Sequence, residues 1–260
     1  TDNILDLFYR LTAFWAGQPG SMLFWGLTVA VMGSLFALTR NYKSLSGETR
    51  LWFWTFFYIL TAFFGLILTV WSNPFAMQYP VPADGRGLNP LLQNPGMIIH
   101  PPLLFLGYAG FAIPTCLALA EALSGDQENG RPWYVSTRTF MLLAWAFLSA
   151  GILLGAWWAY MELGWGGYWA WDPVENSSLI PWLFATVVER RRQILRRTNI
   201  FLISLTTLSS FFATYLVRSG VIDSVHAFGQ GPVGKPLLIF ILASLALITA
   251  VSWQAKPHGN

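Results

Sequence analysis

The chain has 260 residues, of which 55% are hydrophobic and only 10% are charged, whereas soluble domains carry about 25% charged residues. This composition excludes a soluble globular domain and predicts a membrane protein. The net charge of +3 decides little, because the placement of charges along a membrane chain matters more than their sum. The single cysteine, Cys116, excludes an intrachain disulfide, and the absence of a CxxCH motif excludes a c-type cytochrome.

Seven stretches are apolar and long enough to span a membrane, which takes roughly 17–25 residues. In chain order they are 21–39, 51–71, 101–123, 139–161, 173–189, 199–217 and 236–253. The fifth is the weakest, because it is short and contains Pro181, which removes a backbone donor and favours a kink. Its start is better defined: Asp172 can cap the helix, Pro173 fits the first position, and Glu175 resembles the last member of a capping box. The predicted fold is an all-α, polytopic transmembrane bundle of about seven spans, forming one membrane domain over residues 1–260.

The segment 73–100, between the second and third spans, is rich in proline and glycine and weakly charged. A loop of this length is usually functional or disordered. Its apolar side chains predict that it packs on the external membrane surface (Phe75, Met77, Leu88, Leu91, Leu92 and Met97). His100 ends the segment and precedes Pro101 and Pro102, which favours extended backbone at His100 and a helix start at the prolines. The imidazole is therefore predicted at the outer mouth of the third span, either as a ligand or bonded to backbone or water.

The segment 161–176, between the fourth and fifth spans, is the most informative part of the chain. It contains the candidate site residues Trp165, Gly166, Gly167, Tyr168, Trp169, Trp171, Asp172, Glu175 and Asn176. An interfacial aromatic belt is common in membrane proteins, but it does not need paired glycines, which let a backbone or a flat ligand approach closely. The segment is therefore interpreted as a haem-binding surface, with the belt as the alternative. Asp172 and Glu175 are better explained as caps than as catalytic acids, and Asn176 can bond either backbone or ligand.

Two further candidates lie between the last two spans. His226 is the second histidine flanking the aromatic segment, and bis-imidazole ligation suits haem iron; an ordinary loop histidine is the alternative. Arg218 can pair with a haem propionate or act as a snorkelling anchor at the end of the sixth span. Both interpretations of Arg218 stay open.

The basic residues predict the orientation of the bundle. Eleven of them fall on one set of alternating ends, in 40–50, 131–138, 190–197 and at Lys256, and four fall on the other set, at Arg10, Arg86, Arg218 and Lys235. The richer set is expected in the cytoplasm. The aromatic segment, His100 and His226 are then all expected at the outer face.

Residues 165–178 match the pattern WGxxWxWDPxENxS, which resembles the tryptophan-rich WWD signature of haem-handling proteins in cytochrome c maturation. The segments 89–108 and 217–228 are similar to those that carry the external haem ligands of the CcmF/NrfE family of haem lyase subunits, and residues 15–21 also fit. The resemblance covers nearly the whole chain, which corresponds to the central portion of the longer family members.

The resemblance implies that His100 and His226 are axial ligands of haem iron and that the loop 165–176 holds the porphyrin. The implied activity is that of a cytochrome c haem lyase, which attaches haem b through two thioethers to the CxxCH cysteines of an apocytochrome c. The implied partners are a CcmE-type haem chaperone, CcmH-type thiol proteins and membrane lipid, with no nucleic acid. The implied location is the bacterial or mitochondrial inner membrane. No side chain is expected to act as a catalytic nucleophile.

Two other functions are open. A haem export or delivery protein of the CcsA/CcmC type would present haem at the outer face without attaching it. A membrane b-type cytochrome would need histidines within its spans, and none of the seven predicted spans contains one. The family also carries a second, transmembrane haem, but where its first histidine is expected this chain has Glu189-Arg190-Arg191.

Overall fold

The computed structural model describes residues 2–125, 132–164, 166–190, 196–224 and 231–255, with the side chains of 189 and 190 excepted. Every regular element in these ranges is helical. The helices are α1 (Leu7–Ala16), α2 (Gln18–Leu38), α3 (Arg40–Lys43), α4 (Gly47–Val70), α5 (Pro95–Gly110), α6 (Ala112–Ser124), α7 (Trp133–Ser136), α8 (Arg138–Glu162), α9 (Pro173–Arg190), α10 (Arg196–Ser219) and α11 (Gly234–Gln254), with a 3-10 turn at Pro90–Leu92. The prediction of an all-α bundle is confirmed.

Six helical segments in the described ranges are long and apolar enough to cross a membrane: α2, α4, α5 with α6, α8, α10 and α11. The chain is therefore a multi-pass membrane protein. The predicted fifth span corresponds to α9, which has 18 residues and is not among the six. Glu175, Glu189 and Arg190 lie within this short helix, and so the prediction of seven spans is only approximate.

The third span begins earlier than predicted. Asn94 caps α5 by accepting a hydrogen bond from Gly96 N at 2.7 Å, and Pro95 occupies the first turn. His100 is consequently helical rather than extended, and residues 95–100 belong to a span rather than to the preceding loop. Pro101 has no N–H to donate to the Met97 carbonyl, which instead accepts from the indole Nε1 of Trp15 at 3.3 Å. The expectation that no span contains a histidine was therefore wrong.

The apolar side chains of the loop before α5 were predicted to pack on the membrane surface, and the structure divides them into two groups. Phe75 and Met77 are largely exposed, so the described protein does not cover them. Their packing on a membrane surface stays a prediction. Leu92 and Met97 instead line an internal cavity.

Small residues bring α5 and α8 into close contact. A Cβ added at Gly107 would lie 2.8 Å from Leu148 Cβ, and one added at Gly110 would lie 2.7 Å from Ala144 Cβ. Such small-residue contacts are typical of packed membrane helices, where close backbone approach replaces the hydrophobic effect. This contact fixes the register between α5, which carries His100, and α8, which leads into the aromatic loop.

Hydrogen bonds between elements gather the loops at two ends of the bundle. At one end Asn41 bonds Ser136, Thr49 bonds Ser124, Arg196 bonds Glu121 and Arg197 bonds Ala255. At the other end Asn94 bonds Glu162, Trp158 bonds Leu91, Asp172 bonds Ser224 and Ser21 bonds Arg218. The second end holds the aromatic loop together with the start of α5 and the end of α10, as the alternation of charges predicted.

Candidate functional site

A cavity of about 320 Å³ lies at the end of the bundle that carries the aromatic loop. Its walls come from α2, α5, α8, α9, α10 and the aromatic loop, and they include four of the residues singled out in the sequence: His100, Trp169, Glu175 and Arg218. Pockets for small organic ligands have about 300–1,000 Å³ and are mostly apolar with a few convergent polar groups. The structure thus joins residues that are up to 118 positions apart in sequence into one site.

The His100 imidazole is fixed between two helices. Its Nδ1 lies 2.7 Å from the Gly151 carbonyl oxygen on α8. A carbonyl only accepts, so Nδ1 carries the proton and Nε2 carries the lone pair of the neutral ring. Histidines that bind metals are usually oriented by such a bond from the other nitrogen.

Gly155 makes room for this ring. A Cβ at Gly155 would lie 2.5 Å from His100 Cε1, so any larger residue would displace the imidazole. The sequence reasoning did not single out Gly151 or Gly155. The available signal was their spacing, because residues four apart lie on the same face of a helix.

The aromatic loop is shorter than predicted. Because α8 continues to Glu162 and α9 begins at Pro173, the connection covers residues 163–172 rather than 161–176. Asp172 Oδ1 accepts from Val174 N at 2.8 Å, and Glu175 Oε2 accepts from Asp172 N at 3.3 Å and from Ala170 N at 2.9 Å. The predicted capping box is confirmed, with Glu175 also holding the loop that precedes it.

The aromatic side chains of the loop divide into two groups. Trp169 lines the cavity. Tyr168 stacks on Tyr160 with ring centroids 4.4 Å apart, and Trp171 is 72% exposed. Gly166, Gly167, Tyr168 and Trp171 are not among the lining residues. Trp165 and His226 lie outside the described residues.

Trp171 adopts a φ of +58°, a left-handed conformation that costs a non-glycine residue roughly 1–2 kcal/mol. Asn176 Nδ2 stabilises it by donating to the Trp171 carbonyl at 3.0 Å. Asn176 Oδ1 is buried without a hydrogen-bond partner among the described residues. The backbone interpretation of Asn176 therefore fits its Nδ2, and Asn176 is not among the described residues that line the cavity.

Arg218 is 3% exposed and donates from Nη2 to Ser21 Oγ at 2.5 Å. A snorkelling anchor would keep its guanidinium in the aqueous interface, so that interpretation is wrong. The guanidinium reaches Ser21 at the start of α2, and Arg218 lines the cavity. The side chains of Glu189-Arg190-Arg191, which stand where the family carries a transmembrane histidine, lie outside the described residues.

A family model described as Cytochrome C assembly protein matches residues 15–222. The chain belongs to this cytochrome c assembly family. It is 40% identical to the cytochrome c-type biogenesis protein CcmF of Haemophilus influenzae, over 100% of this chain and 41% of that protein. It is 43% identical to the biogenesis protein CycK of Bradyrhizobium diazoefficiens, over 99% of this chain and 40% of that protein.

A solved structure of Cytochrome c Heme Lyase CcmF is similar to this chain with a TM-score of 0.77 and 29% identity, over 98% of this chain and 39% of that protein. The chain spans less than half the length of these relatives. The cavity combines a fixed imidazole, an indole wall and a buried guanidinium, groups whose chemistry suits the iron, the flat ring and the carboxylates of a haem.

Proposed function

We propose that this chain provides the external haem site of a cytochrome c haem lyase in an inner membrane, with the cavity at the periplasmic or equivalent outer face. The observation that carries the proposal is the convergence of His100, Trp169 and Arg218 on one cavity. His100 and His226 are assigned to the haem iron as axial ligands. Trp169 is assigned to the face of the ring, and a contact of Trp165 and the glycine pair with the ring stays a prediction.

The substrate is haem b, whose vinyl groups supply the reactive double bonds. Each CxxCH cysteine of the apocytochrome c adds its S–H across one vinyl group, so that a C–S bond forms and the hydrogen goes to the neighbouring vinyl carbon. The nucleophile comes from the apocytochrome, and the lyase therefore needs no serine or cysteine of its own. The residues of this chain act by holding the substrate in one orientation, which is catalysis by positioning.

The proposed partners are those that the resemblance to the CcmF/NrfE family implies. A CcmE-type chaperone delivers haem to the outer face, and CcmH-type thiol proteins present the apocytochrome with reduced cysteines. Membrane lipid surrounds the spans. The competing function is delivery of haem without attachment, as in the CcsA/CcmC type.

Covalent attachment separates these two functions. The whole protein that contains this chain is expressed with a reporter apocytochrome c in a host that lacks its own haem lyase but retains the other maturation proteins. We expect haem that stays on the reporter after denaturing electrophoresis and that is lost when both CxxCH cysteines are changed to alanine. Haem that reaches the outer face but never resists denaturation would support delivery and contradict the lyase.

The aromatic loop gives a matched pair of variants. Trp169→Leu is expected to lower the haem bound per protein by about tenfold, because an aromatic wall contributes on the order of 1–2 kcal/mol to binding a flat ring. Trp171→Leu removes an indole two residues away that is mostly exposed and does not line the cavity, and it should change haem content much less. Haem content is measured after equal extraction from membranes. Full haem content in both variants would mean that the indoles act as an interfacial belt.

A further inference from the structure

We infer that Arg218, Tyr108 and Ser21 form a carboxylate-binding pocket at one end of the cavity, and that this pocket takes the propionate edge of the haem. The inference rests on the proposed function and adds the orientation of the substrate. The propionates of haem b lie on the two pyrroles opposite those that carry the vinyl groups. A haem held by its propionates in this pocket therefore directs its vinyl groups away from it.

Tyr108 extends the site along α5. His100, Leu104 and Tyr108 are spaced four residues apart on one helix face, and all three line the cavity. Tyr108 lies two helical turns beyond His100, which is about 12 Å along the axis. The cavity therefore has the imidazole at one position and a phenol hydroxyl well separated from it.

The Tyr108 hydroxyl can donate a hydrogen bond to an acceptor in the cavity. Tyr108 is 6% exposed, and none of the hydrogen bonds between described residues involves its hydroxyl. A phenol hydroxyl that faces a cavity can donate a hydrogen bond to a ligand there. Because Tyr108 lines the cavity, a bound ligand can supply that acceptor.

Arg218 adds the charge that makes the acceptor an anion. Its guanidinium bonds Ser21 Oγ, and Arg218 lines the same cavity as Tyr108. Guanidinium groups bind carboxylates through short, charge-assisted hydrogen bonds that are about twice as strong as neutral ones. The site therefore offers a carboxylate several hydrogen-bond donors: the Arg218 guanidinium and the hydroxyls of Tyr108 and Ser21.

The distribution of charge fixes which end of a haem enters this pocket. Among the described residues that line the cavity, Arg218 and Glu175 are the two charged ones besides the titratable His100. The Glu175 carboxylate is held by backbone N–H groups of the aromatic loop. A dicarboxylate ligand is thus attracted to the Arg218 side and repelled from the Glu175 side, and this asymmetry selects one orientation.

The test compares ferric haem with its dimethyl ester, in which both propionates are methylated while the iron and the vinyl groups are unchanged. Each is titrated into the whole purified protein in detergent micelles, and the dissociation constant is read from the absorbance change. We expect the ester to bind about 10- to 100-fold more weakly, the range for losing one or two hydrogen bonds to a charged group. Arg218→Gln and Tyr108→Phe should each weaken the binding of haem more than that of the ester, so that the ratio between the two ligands falls.

Tyr215→Phe is the matched control, since Tyr215 lies on α10 and does not line the cavity. It should leave the ratio unchanged. The more apolar ester partitions into micelles, which raises its apparent dissociation constant. This effect is the same for every variant and therefore cancels when the ratios of different variants are compared. The ratio compared is the dissociation constant of the ester divided by that of haem. A ratio near one in the unmodified protein, or a ratio that neither Arg218→Gln nor Tyr108→Phe changes, would overturn the inference. The proposed lyase function would still stand if the unmodified protein attached haem covalently. Failure to bind haem at all would overturn both.

Discussion

Replacing His100 with glycine is expected to lower haem attachment to a reporter apocytochrome by at least about 100-fold. Changing even an outer group that orients a metal ligand typically costs 10–100-fold, so loss of the ligand itself should cost no less. The glycine leaves a space the size of the ring beside the Gly151 carbonyl and Gly155. Imidazole added to the medium should enter that space and restore both a low-spin haem spectrum and part of the attachment.

His258→Gly is the control for this experiment, because His258 lies outside the predicted site and is interpreted from the sequence as a solvated residue. It should keep full attachment and should not respond to imidazole. The decisive comparison is the absorption spectrum of the purified protein with and without imidazole. An unchanged low-spin spectrum in a variant lacking both His100 and His226 would show that other groups bind the iron.

Gly155→Ala is expected to have an effect of similar size although it removes no functional group. The added methyl carbon would lie 2.5 Å from His100 Cε1, and the ring has to shift by about an ångström. Misplacement by that distance can cost roughly 100-fold in rate. The helix itself should tolerate the change, since alanine has a higher helix propensity than glycine by about 1 kcal/mol.

Two further variants identify the cause of that loss. Gly164→Ala adds the same methyl group just beyond α8, where nothing lies within 4 Å, and it should leave attachment intact. The double variant His100→Gly/Gly155→Ala should lose no more activity than His100→Gly alone, because the two changes act on one ring. Additive losses, measured as haem attached per protein, would mean that Gly155 acts elsewhere than on His100.

Local rules of sequence were sufficient for the caps and the helices. Asp172, Pro173 and Glu175 form the predicted capping box because each of its hydrogen bonds joins residues fewer than six positions apart. The apolar stretches likewise located the long helices, because hydropathy over a span is a property of the segment itself. The ends of these helices differ from the prediction by several residues, and the shorter helices α1, α3 and α7 were not predicted.

The same local rules failed where tertiary contacts decide. The residue before a proline prefers an extended backbone, yet His100 is helical because the cap at Asn94 starts the helix earlier and Trp15 satisfies the released Met97 carbonyl. The spacing of Gly151 and Gly155 indicates a shared helix face, but it does not show that the Gly151 carbonyl meets a ring 51 positions away.

Arg218 shows why two interpretations stayed open at the level of sequence. An arginine at the end of a span has the same pattern whether its guanidinium faces water or protein, and only the position of Ser21 on another helix distinguishes them. The division between Trp169 and Trp171 has a similar origin. Trp171 lies in a left-handed turn and is exposed, and a tryptophan at that position does not predict such a turn.

The bond between His100 and Gly151 also has a consequence for conformational entropy. The ring is held by backbone atoms of α8, and it therefore loses its rotamer freedom when the bundle folds. Immobilising a side chain on binding costs about 0.5–1.5 kcal/mol. At His100 the ring is already immobilised in the folded bundle, so the entropy is lost during folding and lowers the stability of the fold. Ligand binding then loses no further rotamer entropy at this side chain, and neither the affinity nor the association rate is reduced.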